Sequence, residues 1–324
     1  MQVLVTGVAG FIGHQVAARL LASGIAVAGL DNMSSYYDVR LKQARLADLK
    51  KRFGFEAWTC DIADADGLNR CFADARADVI IHLAAQAGVR YSLNHPQTYV
   101  TSNLDGFANI IELCRKYPPR HLLYASSSSV YGGNTKLPFN EEDKTDRPLS
   151  LYAATKRANE GMAYSYSHLF GLPATGLRFF TVYGDWGRPD MAIFSFAEAI
   201  LAGRPIDVFN DGNLRRDFTY GGDVAEAVVR LCEIVPSGDS EPPHRVVNIA
   251  SGKPVALLDF IAALEEALGG KAKMNFKPHQ PGDMIETWAD TQRLRSLIGY
   301  SPETSLGEGM ARFARWYALY RAAA

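Results

Sequence analysis

The chain has 324 residues, 48% of them apolar and 21% charged, with a formal net charge of −1. That length accommodates a large α/β unit plus a smaller second one, and the near-neutral balance argues against a nucleic-acid partner. No apolar run approaches the ~18 residues of a membrane helix, and Cys60, Cys71, Cys114 and Cys232 form no Cys-x-x-Cys pair, so reduced buried thiols are expected in place of a metal or disulfide framework.

Taken in order, Gln2 to Thr6 reads as a short apolar strand and opens the chain directly, so no targeting segment and a cytoplasmic location are expected. It runs into Gly7-Val8-Ala9-Gly10-Phe11-Ile12-Gly13, and Phe11 to Ser23 has helical periodicity with Gly24 as its stop. Strand, glycine-rich turn and helix in that order suit a dinucleotide, whose pyrophosphate would rest on the turn and the helix N-terminus. Ile25 to Leu30 is the second strand. Asp31 at its end would accept from a ribose 2′-hydroxyl and repel a 2′-phosphate, which points to NAD over NADP. Asn32 is expected at the same ribose or the adenine edge, and Asp61, within Cys60-Asp61-Ile62, at the adenine amino group.

Tyr37 to Gly54 is charged and helical and is expected as a solvated helix. Glu56 to Thr59 reads as a third strand and Asp78 to Leu83 as a fourth, with His82 a satisfied core histidine. Leu83-Ala84-Ala85-Gln86, continuing to Gly88, supplies small residues against which a cofactor can lie. A helix over Pro96 to Tyr117 carries Asn103. His121 to Ala125 is the fifth strand. Strands alternating with helices predict a doubly wound parallel sheet of the Rossmann type, whose ligands lie beyond the strands' carboxyl ends.

At that end stands Tyr124-Ala-Ser-Ser-Ser-Ser-Val-Tyr-Gly132, followed by Tyr152-Ala-Ala-Thr-Lys156 at the start of a long helix. Tyr152 and Lys156, four residues apart, share one helical face, and an ammonium beside a phenol favours the phenolate, a base. After the sixth strand, Ala174 to Phe179, elements shorten and Pro and Gly multiply. This predicts a smaller mixed α/β substrate domain over 181–324, the dinucleotide domain spanning 1–180, with about 221–250 crossing back. Helices are expected near Ile193 to Ala202, Asp223 to Ile234, Leu257 to Leu268 and Arg312 to Tyr320.

Gly7-x-x-Gly10-x-x-Gly13, Asp31, Asp61, Ser126 to Ser129 and Tyr152-x-x-x-Lys156 together resemble the extended short-chain dehydrogenase/reductase superfamily over essentially the whole chain. Within it the chain resembles the UDP-glucuronate 4-epimerases, through His82 to Ser92, Ser126 to Phe139, Leu177 to Met191 and Arg215 to Tyr220. The resemblance implies NAD bound on the first domain, with Asn103 among its contacts, and a UDP-sugar bound on the second. It also implies that Arg188 and Arg216 meet the sugar nucleotide's diphosphate, that Asp217 positions Arg216, and that Arg90 belongs to the substrate site. Val208 and Phe209 are expected on the uracil or, equally, in a strand core; Asp283 is expected at a ribose hydroxyl. Relatives often carry Arg at Gln280 and bulkier residues at Gly221-Gly222. A homodimer through helices 96–117 and 152–170 is implied too, with Tyr164 and Tyr166 as contributors or, equally, as intrachain core contacts.

The implied reaction has Tyr152 as base, Lys156 tuning its pKa, and Ser127 bonding the reacting oxygen. Ser128 and Ser129 stand where dehydrating relatives place acids. Hydroxyls there, with Thr181, can donate to a carboxylate that acids would repel, and Ser127, Ser128 and Thr181 are expected to hold it. The readings left open are 4-epimerisation of UDP-glucuronate, another UDP-sugar reaction (hexose epimerisation or decarboxylation), and a silent NAD-binding scaffold.

Overall fold

Residues 1–238, 241–279 and 284–323 are described in a computed structural model. The strands, in chain order, are β1 (Gln2–Thr6), β2 (Ala26–Asp31), β3 (Trp58–Thr59), β4 (Val79–His82), β5 (His121–Ser127), β6 (Ala174–Phe179) and β7 (Thr181–Tyr183). Then follow β8 (Pro205–Phe209), β9 (Arg215–Tyr220), β10 (His244–Ile249), β11 (Pro254–Ala256), β12 (Lys273–Lys277) and β13 (Glu286–Thr287).

The first-half strands are apolar at every central position because both faces are covered. Val3, Val5, Val79, Ile81, Leu123 and Leu177 feed one core cluster, and Leu4, Ile80, Leu122 and Tyr124 the other, alternating along each strand. The result is a seven-stranded parallel sheet in the order β10-β6-β5-β4-β1-β2-β3. Strand order reverses between β1 and β4, which opens a crevice at their carboxyl ends. β10 returns to this sheet after three strands that belong elsewhere. With β11, β12 and β13 those three form a small sheet, β11-β9-β13 with β7 also on β9, and a β8–β12 pair.

Helix Phe11–Ala22 packs against helix Gly221–Leu231 through Val16, Ala17, Leu20, Val224 and Val228. That contact accounts for Gly221: a Cβ there would stand 3.1 Å from the Phe11 ring, and one on Gly222 2.6 Å from Tyr220. Helix Leu151–Phe170 begins at Ser150, whose hydroxyl accepts from the Ala153 amide at 3.1 Å, and ends at Gly171 in the left-handed conformation.

Two expectations need correction. Helix Val39–Phe53 is not a solvated helix, because Lys42 and Arg45 are buried on its inner face and Asp48 is partly so. Spacing by threes puts these charges on one stripe, where the neighbouring loops supply the polar partners that an apolar stripe would not need. The long helix after residue 96 is interrupted: Pro96–Tyr99 and Gly106–Lys116 flank a π-helical stretch, Val100–Asp105. The wider turn carries Asn103, a placement typical of functional bulges.

Candidate active site

The crevice at the switch point is a cleft of about 710 Å³, within the range of small-molecule sites. Its floor is the turn after β1. Gly7 has φ +72°, and a Cβ on it would lie 2.7 Å from the Ala84 amide nitrogen; a Cβ on Gly13 would lie 2.0 Å from the Gly7 carbonyl oxygen. Only glycine lets the turn, the helix and the Leu83–Gln86 segment close this tightly, which leaves Gly10, Phe11 and Ile12 lining the cleft at a helix N-terminus.

At the β2 end, the buried Asp31 carboxylate accepts from the Ala9 amide at 3.1 Å and the Met33 amide at 2.8 Å, with the Lys42 ammonium at 3.3 Å. Asn32 donates to Asp61 at 2.9 Å, and the Asp61 carboxylate also accepts from the Ala63 amide. Asp61 and Ile62 line the same wall. Asn103 does not line the cleft. It is buried behind it, its amide clasping both the N–H and the C=O of Gln86 at 2.8 and 3.0 Å and donating to Thr155 at 3.1 Å. It braces the Gln86 backbone, which lines the cleft, from behind.

At the β5 end, a short 3₁₀ turn over Ser128–Tyr131 is capped by the Ser127 hydroxyl oxygen, which accepts from the Ser129 amide. These three serines, Tyr152, Lys156, Thr181 and Arg188 line one stretch of the cleft. Tyr152 packs edge-on against Tyr99, whose hydroxyl donates to the carbonyls of Ala87 and Gly88. Burial holds the Tyr152 phenol above its usual pKa; the opposing influences are a hydrogen bond with Ser127 and the charge of Arg188. Lys156 is buried and donates to the Ala125 carbonyl at 2.9 Å, and burial lowers its pKa to about 8. The Lys156 ammonium is thus engaged by the strand end, one helical turn beyond Tyr152, and Arg188 brings a second cation to the phenol. Arg188 itself is clasped by Asp190 at 3.0 and 2.8 Å, and Asp190 also accepts from the Tyr36 hydroxyl at 3.1 Å.

Other expected substrate residues lie outside the cleft lining. The Val208 side chain is wholly buried with Ala199, Ile206 and Ile261, so the strand-core reading holds for it and not the uracil contact. The Arg90 guanidinium lies 5.6 Å over the Phe209 ring. Arg216 donates to the carbonyls of Arg215, Met284 and Ile285. Asp217 does not position it: this buried carboxylate accepts from the Ser251, Gly252 and Ala289 amides and the Ser251 and Thr219 hydroxyls. Along a strand, neighbours point to opposite faces, so 216 and 217 cannot share one. Asp283 and Gln280 fall outside the described residues. His82 is the satisfied core histidine expected, bonded to the Thr6 hydroxyl at 2.8 Å and held at a pKa of about 3 by burial. Lys42, Tyr36, Tyr37 and Met191 line the cleft without having been anticipated.

A doubly wound sheet with a glycine cradle, a carboxylate ending its second strand, and Tyr152 one helical turn before the buried Lys156 has the make-up of a dinucleotide-dependent enzyme. The chain belongs to the NAD dependent epimerase/dehydratase family, which it matches over residues 3–250. It is 53% identical over 329 residues to an uncharacterized 37.6 kDa protein of Escherichia coli O111:H-, covering 98% of each chain. It is 48% identical over 330 residues to a probable UDP-glucuronate 4-epimerase of Rhizobium meliloti, covering 98% of this chain and 97% of that one. Among solved structures, UDP-glucuronic acid 4-epimerase from Bacillus cereus, in complex with UDP-glucuronic acid and NAD, superposes with a TM-score of 0.89 at 34% identity, covering 99% of this chain and 100% of the other.

Proposed function

We propose that the protein is an NAD-dependent 4-epimerase interconverting UDP-glucuronate and UDP-galacturonate. The observation that carries the substrate is the hydroxyl cluster. Ser127, Ser128, Ser129 and Thr181 stand beside Tyr152, and the carboxylates among the described lining residues, Asp31 and Asp61, belong to the opposite end, at β2 and β3. A sugar carboxylate finds donors at the β5 end and no like charge.

The cradle fits NAD. The positions where a Cβ would collide keep the turn open to a pyrophosphate, the helix at Phe11 offers its amides, and Asp31 suits an unphosphorylated ribose. Gly7, Gly10, Phe11, Ile12 and Gly13 would hold the pyrophosphate, Asp31 and Asn32 the adenosine ribose, Asp61 and Ile62 the adenine, and Leu83 to Gln86 and Lys156 the nicotinamide half. Bound there, NAD would supply reversible hydride acceptance from carbon 4, with return to the other face by way of a 4-keto sugar. Tyr152 takes and returns the 4-hydroxyl proton, and Ser127 bonds the same oxygen. The Lys156 ammonium, anchored on Ala125, keeps positive charge near the phenolate as it forms.

A 4-keto sugar bearing a carboxylate on carbon 5 is a β-keto acid. It loses carbon dioxide when the breaking bond aligns with the ketone π system. Ser127, Ser128 and Thr181 hold the carboxylate out of that alignment, a positioning effect. Residues 181–324 supply most of the sugar-nucleotide side, with Arg188 on the diphosphate and Arg216, Arg90, Phe209 and Asp283 toward the nucleotide; residues 1–180 with the returning β10 supply the cofactor side.

Two copies pair through helices 106–116 and 151–170, on which Tyr164 is half exposed and Tyr166 bonds Glu112 of its own chain; light scattering at twice the monomer mass is expected. No helix among the described residues is long and apolar enough to cross a membrane, in keeping with a cytoplasmic enzyme. Incubation with UDP-glucuronate, followed by proton NMR, tests the reading: UDP-galacturonate without UDP-xylose is expected. A decarboxylated product or no turnover overturns it.

A further inference from the structure

Helix Val39–Phe53 turns an arginine into the core with no carboxylate to meet it. Arg45 is fully buried, and among the described residues no acid lies within ion-pair distance. Its partners are an oxygen of the glycine-rich turn (Ala9 carbonyl, 2.9 Å), two consecutive carbonyls before Arg188 (Trp186 at 3.1 and 2.7 Å, Gly187 at 3.0 Å) and the Tyr37 hydroxyl at 2.6 Å. We propose that Arg45 is a positioning residue that locks the dinucleotide turn to the Trp186–Arg188 segment, so that the placement of Arg188 toward the sugar nucleotide's diphosphate depends on it.

Three features support this beyond packing. An unpaired buried cation is a costly way to fill a helix face, since a methionine occupies similar volume without desolvating a charge. The planar fork is suited to adjacent carbonyls while its remaining nitrogen reaches a third loop, which a lysine point charge cannot do. Trp186 holds φ at +60°, a conformation bulky residues avoid, and such strain persists only where the surroundings fix it. Here Arg45 grips its carbonyl twice, and its ring lies between His14 and Trp316 at 4.9 and 5.2 Å. Arg188 follows two residues later. The interlock closes through the same turn that supplies Tyr37, because the adjacent Tyr36 bonds Asp190, the carboxylate that clasps Arg188.

The proposal rests on the assignment of Arg188 to the diphosphate, and the test separates that from the epimerase reading by measuring UDP binding as well as turnover. UDP is titrated calorimetrically into the NAD-loaded protein and its Arg45→Met, Arg188→Met and doubly substituted variants. Each single change is expected to weaken UDP by on the order of tenfold, and the double by no more than about twofold beyond the weaker single, because residues that act through one another are not additive. A double loss equal to the product of the singles, on the order of a hundredfold, marks Arg45 as merely structural and overturns the proposal. So does unchanged UDP affinity in either single variant. If circular dichroism shows Arg45→Met unfolded, Arg45→Lys, which keeps the charge and loses the fork, takes its place with the same two outcomes. Wild-type protein that binds UDP without converting UDP-glucuronate overturns the epimerase reading alone.

Discussion

The buried ion pair behind the serine turn sets a stability test with a calculable size. Glu160 and Arg178 are each 4% exposed and meet through two parallel hydrogen bonds, 2.8 and 2.9 Å. Glu160 also accepts from the Ser126 hydroxyl at 2.6 Å, and Arg178 donates to the Tyr131 hydroxyl and the Glu141 carbonyl. Glu160→Gln keeps the shape but leaves the guanidinium buried without a counter-charge. Breaking a buried pair in this way costs about 3–5 kcal/mol, a large share of the roughly 5–15 kcal/mol that holds a domain folded. With a urea slope near 3 kcal/mol per M, the unfolding midpoint falls by about 1–2 M. Glu160→Gln/Arg178→Met, which removes both charges, is expected to recover part of that loss. An unchanged midpoint in the single variant, or a double variant worse than either single, refutes the reasoning. Turnover is expected to fall as well, because Ser126, which precedes Ser127, exchanges a carboxylate acceptor for a neutral amide oxygen.

Thr181→Ala is expected to raise the ratio of UDP-xylose to UDP-galacturonate, read by NMR; an unchanged ratio moves the carboxylate restraint elsewhere. Tyr152→Phe is expected to lower kcat by on the order of 10²–10⁴-fold while leaving UDP affinity within about twofold, since a lost proton acceptor acts on the chemical step. Lys156, whose folded pKa of about 8 lies below the unfolded value, carries an unfavourable buried charge below pH 8. In the window from about 8 to about 10.5 the unfolded chain binds more protons, so this residue makes stability rise with pH. Lys156→Met is expected to flatten that rise, measured as urea midpoints at pH 7.5 and 9.5.

The cofactor half was legible because its signals are local. Gly7, Gly10 and Gly13 follow a strand and open a helix, and Asp31 ends the next strand. The meeting of Ser127, Tyr152 and Thr181 was legible less directly, through strands β5 and β6 being sequential neighbours in a parallel sheet. What escaped were partners supplied across the fold. Charged Lys42 and Arg45 look solvated by composition; their spacing by threes was the available signal, but only the opposing loops decide which face is buried. Asn103 gave no periodic cue beyond the polar run Thr101-Ser102-Asn103, and its role depends on a π-helical turn. Asp217 was paired with Arg216 by proximity in sequence, which a strand's alternation forbids. Val208 was left between a ligand contact and a strand core, although its apolar neighbours were enough to bury it.

The most direct test of the central claim follows the hydrogen on carbon 4. UDP-glucuronate deuterated at that carbon is incubated with the NAD-loaded enzyme in ordinary water, and the products are resolved by proton NMR and mass spectrometry. Hydride transfer within one closed site predicts UDP-galacturonate with the deuterium retained on carbon 4 and no UDP-xylose. Loss of the label to solvent, a decarboxylated product, or unreacted substrate contradicts the account.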